Sequence, residues 1–150
     1  MMKNFDQDFI GRWIGMSAHR MALFITKSMH ASNFSITHEQ LVILKIMSCN
    51  EGISQKELAE KLDRDKTSIA RSINVLEKDH KVVRVNNRED KRVNSLYLTK
   101  EGRELLDNLQ PLFESIKNEM QEGFTDEEIA NAVAFLKDIT TRIFELESKL

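Results

Sequence analysis

The stretch from Ser54 to Leu98, SQKELAEKLDRDKTSIARSINVLEKDHKVVRVNNREDKRVNSLYL, constrains the chain most, because its hydrophobic period switches from helical to alternating. Ser54 and Glu57 stand at capping-box spacing, and Leu58, Ala59 and Leu62 supply a narrow apolar side, so a helix is predicted to begin at Ser54. LDRD breaks it. A second helix over about Lys66 to Lys78 places Ile69, Ile73 and Leu76 on one stripe that must face a core.

At 100° per residue, the side opposite that stripe is centred on Arg71 and Lys78, with Thr67, Asn74 and Arg64 close by, Ser68 at the margin and Lys66 at the helix start. Such a face suits the major groove, where Arg gives two bonds to guanine and Ser, Thr or Asn meet base edges or phosphates. A polar outer face is also what any solvated amphipathic helix has, and helix chemistry alone favours that plainer reading.

The neighbouring segment changes the balance. Lys81 to Val85 is strand-like, Asn86 to Lys91 is a polar turn, and Val93 to Leu98 resumes alternation through Leu96 and Leu98. Helix, turn, helix and hairpin in this order predict a winged helix-turn-helix, mainly α with a small β-hairpin. The tip NNREDKR has three cations and two anions and is too polar to bury. Arg88, Lys91 or Arg92 is therefore a candidate for the minor groove beside the helix's major-groove site.

Three runs, SQKELAEKL, DKTSIARSINVLEKDHKVVR and REDKRVNSLYLTKEGRELL, resemble the MarR-type transcription regulators, with Asp90, Arg92, Leu98, Thr99 and Gly102 in the family's D-x-R…LT-x-x-G pattern. The resemblance covers about a third of the chain. It implies a winged-helix homodimer on a palindromic operator, with the second helix as reader and Arg92 near the minor groove, held by a salt bridge from Asp90. It also implies a regulator, as a rule a repressor, that responds to a small aromatic effector between the dimer layer and the DNA-binding head. Trp13, Met16, His19, Arg20, Phe24 and Met47 would line that crevice, although core packing is their plainer role. Where the family usually has glycine between reading helix and wing, this chain has Asp79-His80, residue types that tolerate a left-handed helix end.

The flanks supply the rest. From Phe5 to Met29, apolar residues recur at helical spacing over more than one face, too much surface to hide on a small winged helix, so a second subunit is expected to cover it. Thr37, with Gln40 behind it, is predicted to cap a helix through Ser48. Thr99 opens a long helix that runs to about Glu122, roughly 35 Å, kinked rather than stopped at Pro111. Thr125 and Glu128 form the box that opens the last helix. Residues 1–150 are thus expected as a single unit, with a DNA-binding head at 37–100 and a helical dimerisation layer at 1–32 and 104–150.

Charge supports one DNA-facing side. Residues 54–103 hold 13 Lys and Arg against 9 Asp and Glu, whereas residues 104–150 hold 4 against 11, within a total of −2. No apolar run approaches the ~18 residues of a membrane span and the N-terminus lacks a signal peptide's blocks, so a cytoplasmic protein is expected. No phosphate loop, nucleophile elbow or HExxH occurs, which argues against an enzyme, and no cofactor is expected. His19 and His30 share a helix face but stand about 16 Å apart, so no metal site is predicted. The single cysteine, Cys49, is expected as a packed thiol; the oxidant-sensing cysteine that some members of the family carry in their first helix is missing. The main alternative is a winged-helix module that binds a protein partner and no DNA.

Overall fold

A computed structural model describes residues 9–86 and 94–150 of the chain. Six helices and three strands follow in order: α1 (Ile10–Ala31), α2 (His38–Cys49), β1 (Ile53–Ser54), α3 (Gln55–Leu62), α4 (Lys66–Lys78), β2 (Val82–Asn86), β3 (Asn94–Leu98), α5 (Lys100–Gln121) and α6 (Asp126–Glu147). They fall into two compact units, divided between Phe113 and Glu114.

The caps form as predicted. Thr37, Ser54 and Thr125 each accept from the backbone N–H three residues on, while Gln40, Glu57 and Glu128 accept from the cap residue's own N–H. These bonds satisfy amide donors that every helix start leaves open. Ser54→Ala is expected to cost about 1 kcal/mol of stability, measured by urea unfolding. The same bonds hold Glu57 and Glu128 below the ordinary carboxylate value of 4.5, the Ser54 and Thr125 backbone N–H groups being the main cause. A folded-state pKa lowered in this way contributes stability above 4.5 that is lost as pH falls below it. Glu57→Gln is therefore expected to flatten the acid limb of a stability–pH profile without altering its neutral plateau by more than a cap's worth.

Within the first unit, α2, α3 and α4 bury Leu41, Ile43, Leu44, Met47, Leu58, Ala59, Ile69, Ile73 and Leu76 against Ile53, Val82, Leu96 and Leu98 of the sheet, with Met29 of α1 and Leu109 of α5 closing the core. Lys45 of α2 adds a cation over the Phe113 ring of α5, 4.2 Å from its centroid. The sheet order is β1-β3-β2, all antiparallel, with Val82 opposite Leu98 and Asn86 opposite Asn94.

Three features differ from the sequence expectation. α1 begins at Ile10, because Phe9 is extended (ψ 110°), and the stretch from Phe5 to Asp8 lies outside the described residues. β1 was not foreseen; its two residues are too few to show a period, and only pairing with Leu96 and Ser95 of β3 defines it. The turn before it uses Gly52 at φ +76°, where a Cβ would lie 2.9 Å from the Tyr97 hydroxyl. Cys49 is exposed rather than packed, since it ends α2 on the side away from Leu44 and Met47.

α5 passes through Pro111 without stopping. In the second unit, Gly123 at φ +87° ends the turn after α5, and α6 buries no residue within the chain. Phe135, Leu136, Ile143 and Phe144 of α6 are exposed, Phe144 at 66%. α1 likewise leaves Trp13, Met16, Met21, Leu23 and Phe24 exposed and buries only Met29. Among the described residues, no helix is long and apolar enough to cross a membrane.

Candidate nucleic-acid interface

α4 is fixed from below and from both ends. Ile69, Ile73 and Leu76 are at most 2% exposed, which sets the helix's rotation about its axis. Asp65 caps it by accepting from the Ser68 N–H at 2.8 Å, and Gln55 of α3 donates to the Lys66 carbonyl at 3.4 Å. Asp63 at φ 48° ends α3 in the left-handed region and forms the turn between the two helices. Ser72 donates to Glu39 of α2 at 2.9 Å, a second tie to the head.

With that rotation set, Arg64, Lys66, Thr67, Arg71, Asn74 and Lys78 are exposed and Ser68 lies half-buried at the edge. The face predicted from the helical wheel is thus present as one surface carrying four cations, two hydroxyls and an amide. The Ser68 N–H is used by the cap, which leaves its hydroxyl as its free polar group.

The C-terminal end of α4 shows why Asp79-His80 can replace the glycine. His80 adopts φ 56°, donating its N–H to Glu77 O at 3.0 Å, while Lys81 donates to Leu76 O at 2.8 Å. These two bonds form a Schellman motif with His80 as the left-handed residue. A non-glycine residue there carries a strain of about 1–2 kcal/mol, partly offset by the larger unfolded-state entropy of glycine. His80→Gly is therefore expected to raise stability by about 0.5–1 kcal/mol in urea unfolding.

The same corner explains the LT-x-x-G run. The Thr99 hydroxyl donates to His80 O at 2.6 Å and accepts from the Gly102 N–H at 3.0 Å, while Thr99 N–H donates to Lys81 O at 3.1 Å. A Cβ on Gly102 would sit 2.2 Å from Lys81 O, so glycine is required by close backbone approach rather than by φ. The end of α4, the start of β2 and the start of α5 are pinned at one point.

Sequence reasoning missed Arg84. On β2, its guanidinium donates to Glu77 and, at 2.6 Å, to the Asn74 side-chain oxygen, so the first wing strand grips the outer edge of α4. Strand alternation puts Arg84 opposite in direction to exposed Val83 and Val85, but only the β2–α4 packing reveals its partners.

The remaining predicted site residues are placed as follows. Arg88, Asp90, Lys91 and Arg92 lie outside the described residues, in the connection that Asn86 and Asn94 close. Trp13, Met16, His19, Arg20 and Phe24 are exposed along α1, whereas Met47 is 1% exposed inside the head's core and offers no surface to a ligand. Among the described residues no group of three His, Cys, Asp or Glu is placed to hold a metal.

A polar reading face on an apolar spine, backed by a three-stranded sheet, defines a winged helix-turn-helix protein. Residues 36–93, 58 of the chain's 150, match the family model described as MarR family. The chain is 29% identical over 132 residues to the uncharacterized HTH-type transcriptional regulator YybA of Bacillus subtilis, covering 88% of this chain and 87% of the relative. It is 25% identical to the HTH-type transcriptional regulator SarZ of Staphylococcus epidermidis over 77% of each. A crystal structure of a mutant MarR from E. coli complexed with operator DNA superposes with a TM-score of 0.82 at 24% identity, covering 91% of this chain and 98% of that one, which shows the shared fold. The relatives are regulators, none of them named as an enzyme.

Proposed function

We propose that the chain is a sequence-specific, DNA-binding transcription regulator that works as a homodimer on an inverted repeat. The observation that carries this is the α4 face: Arg71 at its centre with Thr67 and Asn74 beside it, all exposed, on a helix whose rotation the buried Ile69–Ile73–Leu76 stripe fixes. Lys66 and Arg64 at the helix start suit phosphates, and Arg88, Lys91 and Arg92 of the wing suit the minor groove, with Asp90 as support for Arg92.

The homodimer reading rests on α1 and α6, which expose more aromatic and aliphatic surface than a lone chain of this size would leave bare. Two copies would present two α4 helices to one duplex, about 34 Å apart on successive major grooves. We assign repression, relieved by a small aromatic effector that contacts the exposed Trp13, Met16, His19, Arg20 and Phe24 side of α1. An effector acts there only if it binds the DNA-competent and the released arrangements with different affinity. The cytoplasm is the compartment in which such a regulator meets its operator.

A mobility-shift titration on genomic promoter fragments against excess random duplex tests this. Retained shifted bands that weaken with salt and with a phenolic effector support the reading. Negligible duplex affinity at low salt contradicts it and leaves the protein-interaction module.

A further inference from the structure

We propose that Asn74 reads DNA as a hydrogen-bond donor only, because Arg84 of the wing turns its amide. The inference rests on the DNA-binding reading above. An asparagine on a reading helix ordinarily pairs with adenine through both ends of its amide, the oxygen accepting from N6 and the nitrogen donating to N7. Here the Asn74 oxygen accepts from the Arg84 guanidinium at 2.6 Å, and Glu77 holds that guanidinium from its other side. The amide cannot flip without setting its NH2 against guanidinium N–H groups, donor against donor. The oxygen therefore faces β2 and the two amide hydrogens form the edge exposed to a ligand.

An adenine approaching in the bidentate pose would have to place its N6 amino group beside a cation, sharing one oxygen with it. An acceptor has no such conflict. The partner of Asn74 on the duplex is accordingly a hydrogen-bond acceptor, either a base-edge atom such as guanine N7 or O6 and thymine O4, or a phosphate oxygen. Arg84 is a positioning residue in this scheme: it is ion-paired to Glu77, and its effect on DNA passes through Asn74.

Selection from a randomised duplex library, followed by affinity titration, tests the assignment with wild type, Asn74→Ala, Asn74→Asp and Arg84→Met. Asn74→Asp keeps the shape and the Arg84 partner but loses the donor, so it is expected to bind at least about tenfold more weakly than wild type. With a base-edge partner, Asn74→Ala loses preference at one base pair per half-site, and Arg84→Met, which frees the amide to turn, changes the base preferred at that same pair. With a phosphate partner, Asn74→Ala lowers affinity equally across sequences and Arg84→Met leaves the base preferences unchanged. Wild-type affinity in Asn74→Asp or Asn74→Ala, or an Asn74-dependent base preference that Arg84→Met leaves unchanged, overturns the proposal. Failure of the wild type to bind any duplex is a separate result that removes the DNA-binding reading itself. Circular dichroism melts confirm that each variant is folded, and the exposed position of Asn74 predicts that its two variants will be.

Discussion

Arg71→Ala should weaken binding to the selected operator by about 1–3 kcal/mol, or roughly 5- to 150-fold, and relax selection at one position in each half-site. Arg71 sits at the middle of the exposed α4 face and makes no ion pair among the described residues, so its guanidinium is free to give two parallel bonds to a guanine edge. Truncation removes that contact without disturbing the helix, whose position depends on Ile69, Ile73 and Leu76 on the other side. Lys66→Ala, at the helix start, should instead lower affinity nearly uniformly across sequences and reduce the salt slope by about one. Anisotropy titrations of both variants on operator and random duplex separate the two behaviours, and an Arg71→Ala protein with unchanged sequence preference would remove Arg71 from the reading role.

Gly102→Ala should be the most damaging single methyl addition in the head. The new Cβ would lie 2.2 Å from the Lys81 carbonyl oxygen and 3.1 Å from its carbon, both backbone atoms that no rotamer change can move aside. Relief requires α5 to withdraw from β2, which breaks the bonds from Thr99 to His80 and Lys81 at 2.6 and 3.1 Å. Overpacking of this kind costs about 3 kcal/mol, equivalent to a fall in Tm of roughly 6–12 °C for a chain of this length. Because the same corner anchors the wing to α4, operator affinity should fall as well. A variant whose Tm stays within about 2 °C of wild type would show that the corner yields easily.

Much of this architecture was legible because its signals are local. Three capping boxes mark helix starts to within a residue, and the stripe of Ile69, Ile73 and Leu76 identifies the buried face of α4. His80 was readable as a left-handed joint because few residues other than glycine accept that conformation, and φ 56° bears this out. What escaped was non-local. β1 exists only through its pairing with β3, the grip of Arg84 on Asn74 depends on how β2 packs against α4, and Gly102 is required by a carbonyl on a different element. Cys49 was misplaced because the last turn of a broad apolar helix gives no sign of which residue emerges into solvent. The apolar surplus of α1, and separately that of α6, could be seen in the sequence, and large hydrophobic residues of each helix are exposed.

Whether two copies of the α4 face read one duplex is tested most directly by selecting genomic DNA fragments with the purified protein. The expected result is enrichment of inverted repeats whose half-site centres lie about one helical turn, 10–10.5 base pairs, apart, protected by a protein that sediments as a dimer. Recovery of fragments with no shared motif, or of single half-sites bound by a monomer, would contradict it.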